Sequence, residues 1–313
     1  MPVGAELKRI LEKQGYRVVG DHSGVKLCHW LGQKMLHGRA CYKEKFYGIS
    51  SHRCLQMTPT VNHCNQSCLF CWRFQGFTMA ELETHDDPEA VLDGCVAAQR
   101  KLITGYKGDP RCTSRMWEEA WEPNQVAISL SGEPTLYEKL GGFIDVCTRR
   151  GMTTFLVTNG TNPRALERLD PLPTQLYVTV AAPNEEIYRK LCAPTTKTGW
   201  MDLQKTLELF PSLGTRKVVR HTLVKGWNLG WPGEYAKLDA VAQPDFVEPK
   251  GYVFVGYSRE RMHNDNMPPM EEIRTFSSAL CSELGMEVLG ESAGSRVAVL
   301  GHKKEGLRIS KDD

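Results

Sequence analysis

Residues 55–74 read LQMTPTVNHCNQSCLFCWRF, a strand-like run of apolar and threonine residues that passes straight into a cysteine-rich loop. Within that loop Cys64, Cys68 and Cys71 are spaced C-x3-C-x2-C. With 11 cysteines in 313 residues, a chance match to this three-cysteine pattern has odds of roughly 1%, so the spacing points to chemistry. Three thiolates on one short loop suit a [4Fe-4S] cube, because each can hold one iron while the fourth iron stays open to a small molecule. Zinc is the competing metal. It would want a fourth ligand close by, and His63, adjoining Cys64, is badly placed to fold back and complete a tetrahedron.

Working outward from the loop, apolar β-rich runs alternate with helical patterns. Strands are expected over 55–61, 125–131, 153–158, 175–180, 217–224 and 252–256, with helices over 88–104, 136–150 and 270–284. Six βα units imply an α/β fold, a partial (β/α)6 TIM-like barrel. The expected organisation is an N-terminal extension over 1–53, the barrel over 54–290, and a C-terminal strand and tail over 291–313. Active sites of such barrels gather at the carboxyl ends of the strands. Polar motifs fall there: SLSGEPTLY after the second strand and Thr158-Asn159-Gly160 at the end of the third. On their own these are ordinary turn sequences.

Composition excludes several classes. Apolar residues make up 41% and charged residues 24%, which suits a globular chain with a substantial core rather than disorder. The first twenty residues read as an amphipathic helix and no apolar run is long enough to span a bilayer, so neither a signal peptide nor a membrane partner is expected. An odd 11 cysteines in a chain too long to need disulfide staples points to a reducing compartment, the cytoplasm. The net charge of +2 does not announce a nucleic-acid binder, and only local patches can argue for one.

The pattern C-x3-C-x-aromatic-C, with Phe70 as the aromatic, resembles the signature of the radical S-adenosylmethionine (SAM) superfamily. The resemblance implies that the open iron chelates the amino and carboxylate groups of SAM, and that one electron cleaves SAM to a hydrogen-abstracting 5′-deoxyadenosyl radical. SGEPT is similar to the family's glycine-glutamate-proline motif, which gives Glu133 the SAM ammonium. Thr158 and Asn159 are placed to hold its carboxylate or ribose.

A second triad, Cys28, Cys41 and Cys54, is spaced C-x12-C-x12-C. From the residues alone a second cluster, buried structural thiols, or a zinc site with His29, His37 or His52 all remain open. The two triads together resemble the tRNA 4-demethylwyosine synthases, radical SAM enzymes of wybutosine biosynthesis. The likeness runs through SSHRCLQMTP, CWRF, SLSGEPTLY, FLVTNGTNP and EPKGYVFVGYSR. It implies two [4Fe-4S] clusters, SAM, and a carbon-carbon lyase that joins two carbons of pyruvate to N1-methylguanosine at position 37 of tRNA-Phe, giving tricyclic 4-demethylwyosine. The chain has no room for a flavodoxin-like domain, so a separate flavodoxin or ferredoxin would supply electrons to what is expected to be a monomer.

An N-methyl C–H is too strong for a general base, so a cofactor radical is the reasonable reagent. A second cluster with an open iron would polarise the pyruvate carbonyl. If residues 41–43 are extended, Lys43 shares a face with Cys41 and sets an amine beside the keto acid for a Schiff base; Lys45 competes for that role. For tRNA, residues 20–55 carry Lys26, Lys34, Arg39, Lys43, Lys45 and Arg53 against two acids. Residues 210–233 carry Arg216, Lys217, Arg220 and Lys225 with Trp227 and Trp231 and no acid, a mixture suited to phosphate contact and base stacking. The remaining Cys95, Cys112, Cys147, Cys192 and Cys281 read as small buried hydrophobes.

The alternative is a radical SAM activase or maturase with an auxiliary cluster acting on a protein. Such enzymes usually place extra cysteines after the first motif, whereas here the extra triad precedes it. An RNA-binding module with structural metals would leave the GEPT and TNG segments without a role.

Overall fold

The computed structural model describes residues 3–309. Helix α1 (Ala5–Lys13) buries Leu7 and Leu11 and ends soon enough for the chain to turn into an antiparallel hairpin, β1 (Tyr16–Val19) and β2 (Ser23–Lys26). The expected N-terminal helix is therefore confined to its first half. Two short helices follow, α2 (His29–His37) and α3 (Tyr42–Tyr47), each stopped by a left-handed glycine, Gly38 and Gly48. The segment holding Lys43 is thus helical, not extended.

Six parallel strands come next: β3 (Cys54–Thr58), β4 (Gln125–Ile128), β5 (Thr153–Thr158), β6 (Gln175–Thr179), β7 (Arg216–Leu223) and β8 (Phe246–Gly251). Crossover helices cover their outer face. The first, α4 (Pro88–Ile103), starts cleanly because the Asp87 carboxylate accepts from the Glu89 and Ala90 amides and Pro88 occupies the first turn. The expected helix over 136–150 is split into a 3-10 turn, Pro134–Leu136, and a helix over Leu140–Arg149. A final pair, β9 (Glu287–Ser292) and β10 (Val297–Gly301), extends the sheet, whose order is β1-β2-β3-β4-β5-β6-β7-β8-β10-β9. The sheet is curved but not closed, a partial barrel.

Both ends of the chain join this one sheet. The extension over 1–53 contributes β1 and β2, of which β2 pairs antiparallel with β3, and the boundary at 290–291 falls inside β9. Residues 310–313 of the expected tail lie outside the described ones.

One strand is displaced from expectation. The sixth barrel strand is Phe246–Gly251, not 252–256, and it pairs in register from Val218↔Phe246 to Leu223↔Gly251. Its sequence FVEPKG hides it, because Glu248 and Lys250 point inward to polar partners while the ladder to β10 is bridged at Val247 and Lys250, passing over the Pro249 nitrogen that cannot donate.

Period-two alternation divides each strand between two environments. Leu156, Val178 and Val219 face outward and are fully buried under the helices. Inward, Phe155, Tyr177 and Val218 meet Tyr42, Phe46 and Tyr47 of α3, which plugs the amino-terminal end of the lumen. Burying each such aromatic is worth about 1.5–3 kcal/mol. Towards the carboxyl ends the inward residues Val157, Thr179, Arg220, Thr222 and Lys250 are only half-buried, so the upper lumen forms a chamber open at the mouth.

Candidate active site

The cysteine loop follows β3 at the mouth and is fixed by backbone contacts on all sides. Cys64 N donates to Met79 O (2.8 Å), Ser67 N to Ala193 O (3.0 Å) and Leu69 N to Leu191 O (2.9 Å). Neighbouring loops are stitched to it. Glu133 N donates to His63 O (2.8 Å), Ser131 Oγ to Val61 O (3.1 Å), and Asn159 Nδ2 to Asn65 Oδ1 (2.8 Å). Gly132 makes this possible with φ +72°, since a Cβ there would overlap the Thr60 carbonyl oxygen. The motifs at the ends of β3, β4 and β5 therefore form one surface.

Glu133 is 1% exposed. Its carboxylate accepts from Thr135 N (3.1 Å), Thr135 Oγ1 (2.7 Å), Thr158 Oγ1 (2.6 Å) and Asn159 N (2.7 Å). Burial pushes its pKa up and these donors oppose that shift. Three sequence-selected residues, Glu133, Thr158 and Asn159, thus stand in one hydrogen-bonded unit, and Phe70 packs against the core beside them.

Cys64 is buried, and Cys68 and Cys71 are half-buried. Burial pushes Cys64 up to about 12, and the Arg73 guanidinium beside all three opposes the rise. Arg73 is itself buried, donating to Gln66 O (2.9 Å) and Thr78 Oγ1 (2.5 Å). Cys192 was read as filler, yet it stands against Cys68 and is the leading cause of that thiol's raised pKa. Cys95, Cys112 and Cys147 are buried as expected, while Cys281 is only half-buried.

The second triad converges at the other end of the lumen. Cys54 opens β3, while Cys28 and Cys41 are the N-cap residues of α2 and α3. All three thiols interact electrostatically with one another or with Lys43, and burial raises each, Cys41 to about 11. The amides of Trp30, Leu31 and Lys43 at the helix starts lean the other way, favouring thiolate. Since β3 rises about 3.3 Å per residue, its two ends, Cys54 and Thr58, are separated by about 13 Å, and the loop of the first triad begins beyond Thr58.

Each donor set is three cysteine thiols, the complement that a [4Fe-4S] cube takes from one protein. A tetrahedral zinc with Zn–S bonds of about 2.3 Å brings thiolates to within about 3.8 Å of one another. Among the described residues no three Cys, His, Asp or Glu side chains converge in that way. A cube gives each of three thiolates its own iron and leaves the fourth iron open.

Lys43, 8% exposed, stands beside Cys41 and Cys54 of the second triad, with its Nζ 4.7 Å from the Phe155 ring centroid and 4.8 Å from that of Tyr177. Burial first, then the nearby Arg220 charge, lower its pKa, which favours a neutral and nucleophilic amine. Lys45 is exposed and bears away from the lumen. Arg220 is not an RNA contact by position: it lies inside the barrel, paired with Glu248 (2.8 Å) and donating to Tyr42 Oη (2.9 Å). Burial pushes the neighbouring Lys250 down to about 8.

The remaining expected RNA contacts are not brought together. Arg216 and Lys217 begin β7 at the end opposite the cysteine loop, and Arg216 donates to Leu307 O (2.8 Å). Lys225, beyond the far end of β7, is exposed and paired with Glu272. Trp231, 39% exposed, lies on the same stretch. In the first basic patch Lys34 is paired with Glu44 (2.6 Å) and Lys26 lies over the Trp72 ring.

Comparison with known proteins bears on this arrangement. A family model described as the radical SAM superfamily matches residues 58–238, and one described as wyosine base formation matches residues 241–302. An S-adenosyl-L-methionine-dependent tRNA 4-demethylwyosine synthase from Pyrococcus abyssi is 50% identical over 301 residues, covering 94% of this chain and 88% of its own. The chain belongs to the tRNA 4-demethylwyosine synthase family. A synthase from Methanocaldococcus jannaschii is 38% identical, covering 94% of this chain and 95% of its own. A solved structure of TYW1 with a lysine-pyruvate adduct bound superposes with a TM-score of 0.89 at 35% identity, covering 99% of both chains. Another, of archaeal TYW1, gives 0.81 at 33% identity, covering 98% of this chain and 100% of that one.

Family membership leaves the individual residues to be argued from geometry. Sequence reasoning missed Arg73, Cys192, Glu248 and Lys250. Of these, Arg73 lies in CWRF and Glu248 and Lys250 lie in EPKGYVFVGYSR, segments that resemble the family, so a signal for all three was within reach. No helix among the described residues is long and apolar enough to cross a membrane.

Proposed function

We propose that this chain forms 4-demethylwyosine in tRNA, as its synthase relatives are named for doing, by condensing N1-methylguanosine at position 37 of tRNA-Phe with two carbons of pyruvate. The observation that carries the reading is the placement of a buried, desolvated lysine, Lys43, in the lumen beside Cys41 and Cys54 of the second cysteine triad. When bound, the clusters and SAM supply the hydrogen-abstracting radical at the mouth and a Lewis acid at the plugged end.

The chain's own residues do the rest. Cys64, Cys68 and Cys71 hold the first cluster, and Cys28, Cys41 and Cys54 the second. Glu133, Thr158 and Asn159 order the rim on which SAM is bound, with Phe70 packed beneath. The Lys43 amine attacks the pyruvate ketone carbon, the oxygen leaves as water, and the keto acid is held as an iminium on Nζ. The adjacent aromatic faces of Phe155 and Tyr177 keep water from one side of that bond. The target base lies in an unpaired anticodon loop, so extruding it into the mouth costs only a few kcal/mol. Loss of the pyruvate carboxyl carbon makes the reaction a carbon-carbon lyase. A separate flavodoxin or ferredoxin supplies electrons to a cytoplasmic monomer.

Anaerobic incubation with SAM, pyruvate, reductant and N1-methylguanosine-bearing tRNA, followed by nucleoside mass analysis, should yield the tricyclic base. Its absence would overturn the reading. Iron analysis should give about eight irons per chain, and about four would remove the second cluster.

A further inference from the structure

The chamber above α3 holds more positive charge than its carboxylate can balance. Arg220 and Lys250 both approach it, and Glu248 is saturated: Oε1 accepts from Tyr47 Oη (2.5 Å) and Oε2 from Arg220 Nε (3.1 Å) and Nη2 (2.8 Å). Arg220 is thereby spent on Glu248 and Tyr42. Lys250 is not. It lies two residues nearer the mouth than Glu248, in register with Thr222 on the half-buried ring of inward residues. Its Nζ donates to Ser295 O (3.1 Å) and lies 5.6 Å from the Tyr42 ring centroid. An ammonium has three donors, so two remain for a ligand. Cys41 acts on Lys250 as well as on Lys43, and as a cluster ligand its charge would be shared with the metal. A partly desolvated ammonium without an anion is costly, and a small anionic ligand would offset that cost.

We propose that Lys250 binds the carboxylate of the keto acid whose ketone carbon Lys43 attacks, so that the chamber selects 2-oxo acids over neutral carbonyl compounds of the same size. The inference rests on Lys43 being the adduct-forming amine. Two amines on different elements, α3 and β8, then divide one substrate between them: Lys43 forms the covalent bond and Lys250 holds the charge.

The test uses cluster-loaded protein without SAM or tRNA and needs no turnover. Borohydride trapping is followed by intact mass, with pyruvate and its neutral analogue pyruvamide as probes. In Lys250→Met the pyruvate concentration for half-maximal trapping should rise at least tenfold, as expected on losing a charge-assisted hydrogen bond, while that for pyruvamide stays put. Lys250→Arg should recover part of the loss. Unchanged pyruvate trapping, or a parallel weakening with both probes, would overturn the role. A second arm is independent of the adduct: pyruvate binding to Lys43→Met, measured by calorimetry, should weaken at least tenfold when Lys250→Met is added, and no weakening would also overturn it. Absence of adduct with either probe in the parent protein, with the calorimetric effect intact, would instead defeat the Lys43 reading alone.

Discussion

Glu248→Gln is the perturbation whose cost the structure defines best. The Arg220 guanidinium is paired with Glu248 at 2.8 Å, the carboxylate is fully buried, and Tyr47 donates to its other oxygen. Glutamine keeps the shape and can still accept from Tyr47. Its amide, however, turns a donor towards Arg220, whose charge then stays in the lumen without compensation. Breaking a buried pair from one side costs about 3–5 kcal/mol. With an unfolding entropy of about 2.1 cal/mol/K per residue, roughly 0.65 kcal/mol/K for 313 residues, that is a fall in Tm of about 5–8 °C. Anaerobic scanning calorimetry of the cluster-loaded protein reads this directly. Replacing both partners, Arg220→Met with Glu248→Leu, removes the stranded charge and should recover most of the loss. A single variant within about 1 °C of the parent, or a double variant less stable than the single, would refute this account of the lumen.

The other predictions concern the rim, the clusters and the edges of the fold. Gly132→Ala forces a Cβ into the Thr60 carbonyl at a left-handed φ, so it should separate the GEP loop from the cysteine loop; SAM affinity measured by equilibrium dialysis should fall at least tenfold. Cys68→Ala should abolish SAM cleavage, whereas Cys28→Ala should leave some uncoupled cleavage but no tricyclic product on nucleoside analysis. Because Arg216 and Lys217 stand at the end of β7 away from the mouth, replacing both with Ala should leave the salt dependence of tRNA binding unchanged; a slope lowered by two would mean that the RNA reaches that end as well. His22 donates from Nδ1 to Pro59 O and accepts at Nε2 from the Asp86 amide, a pattern that fits only the neutral ring. Burial lowers its pKa, so the native state binds fewer protons than the unfolded one; stability should drop as pH falls below the unfolded value near 6.5, with a shallower slope in His22→Gln by urea titration.

How much of this was legible in the sequence depended on whether the signal was local. The C-x3-C-x2-C loop is contained in one turn of chain, so its spacing sufficed. Five barrel strands showed themselves because their outward faces, such as Leu156 and Val219, are continuously apolar under helices. The sixth did not, since β8 contributes Glu248 and Lys250 to a polar lumen and carries Pro249, and the apolar run just after it drew the assignment to 252–256. Arg220 was misread for a related reason: its partner lies 28 residues away on the neighbouring strand, so the local stretch looked like uncompensated surface charge. Cys28, Cys41 and Cys54 come from a helix start, a second helix start and a strand start, and no local spacing rule encodes that convergence.

The helical state of α3 changes what the second triad means. Had residues 41–43 been extended, Lys43 would have shared a face with Cys41 and its reach would have followed from the strand pleat. As the second residue of a short helix capped by Cys41, Lys43 instead points up the lumen from the plug, and the same helix sends Tyr42 and Tyr47 to Arg220 and Glu248. One six-residue helix therefore places the proposed cluster ligand Cys41 at its start, the proposed adduct-forming amine and the partners of the buried ion pair. Those functions are coupled through its packing. A cavity made beneath it, for example by Phe46→Ala, would be expected to cost about 3–5 kcal/mol and to disturb metal loading and lysine reactivity together, whereas a cavity on the outer face, under the crossover helices, would cost stability alone.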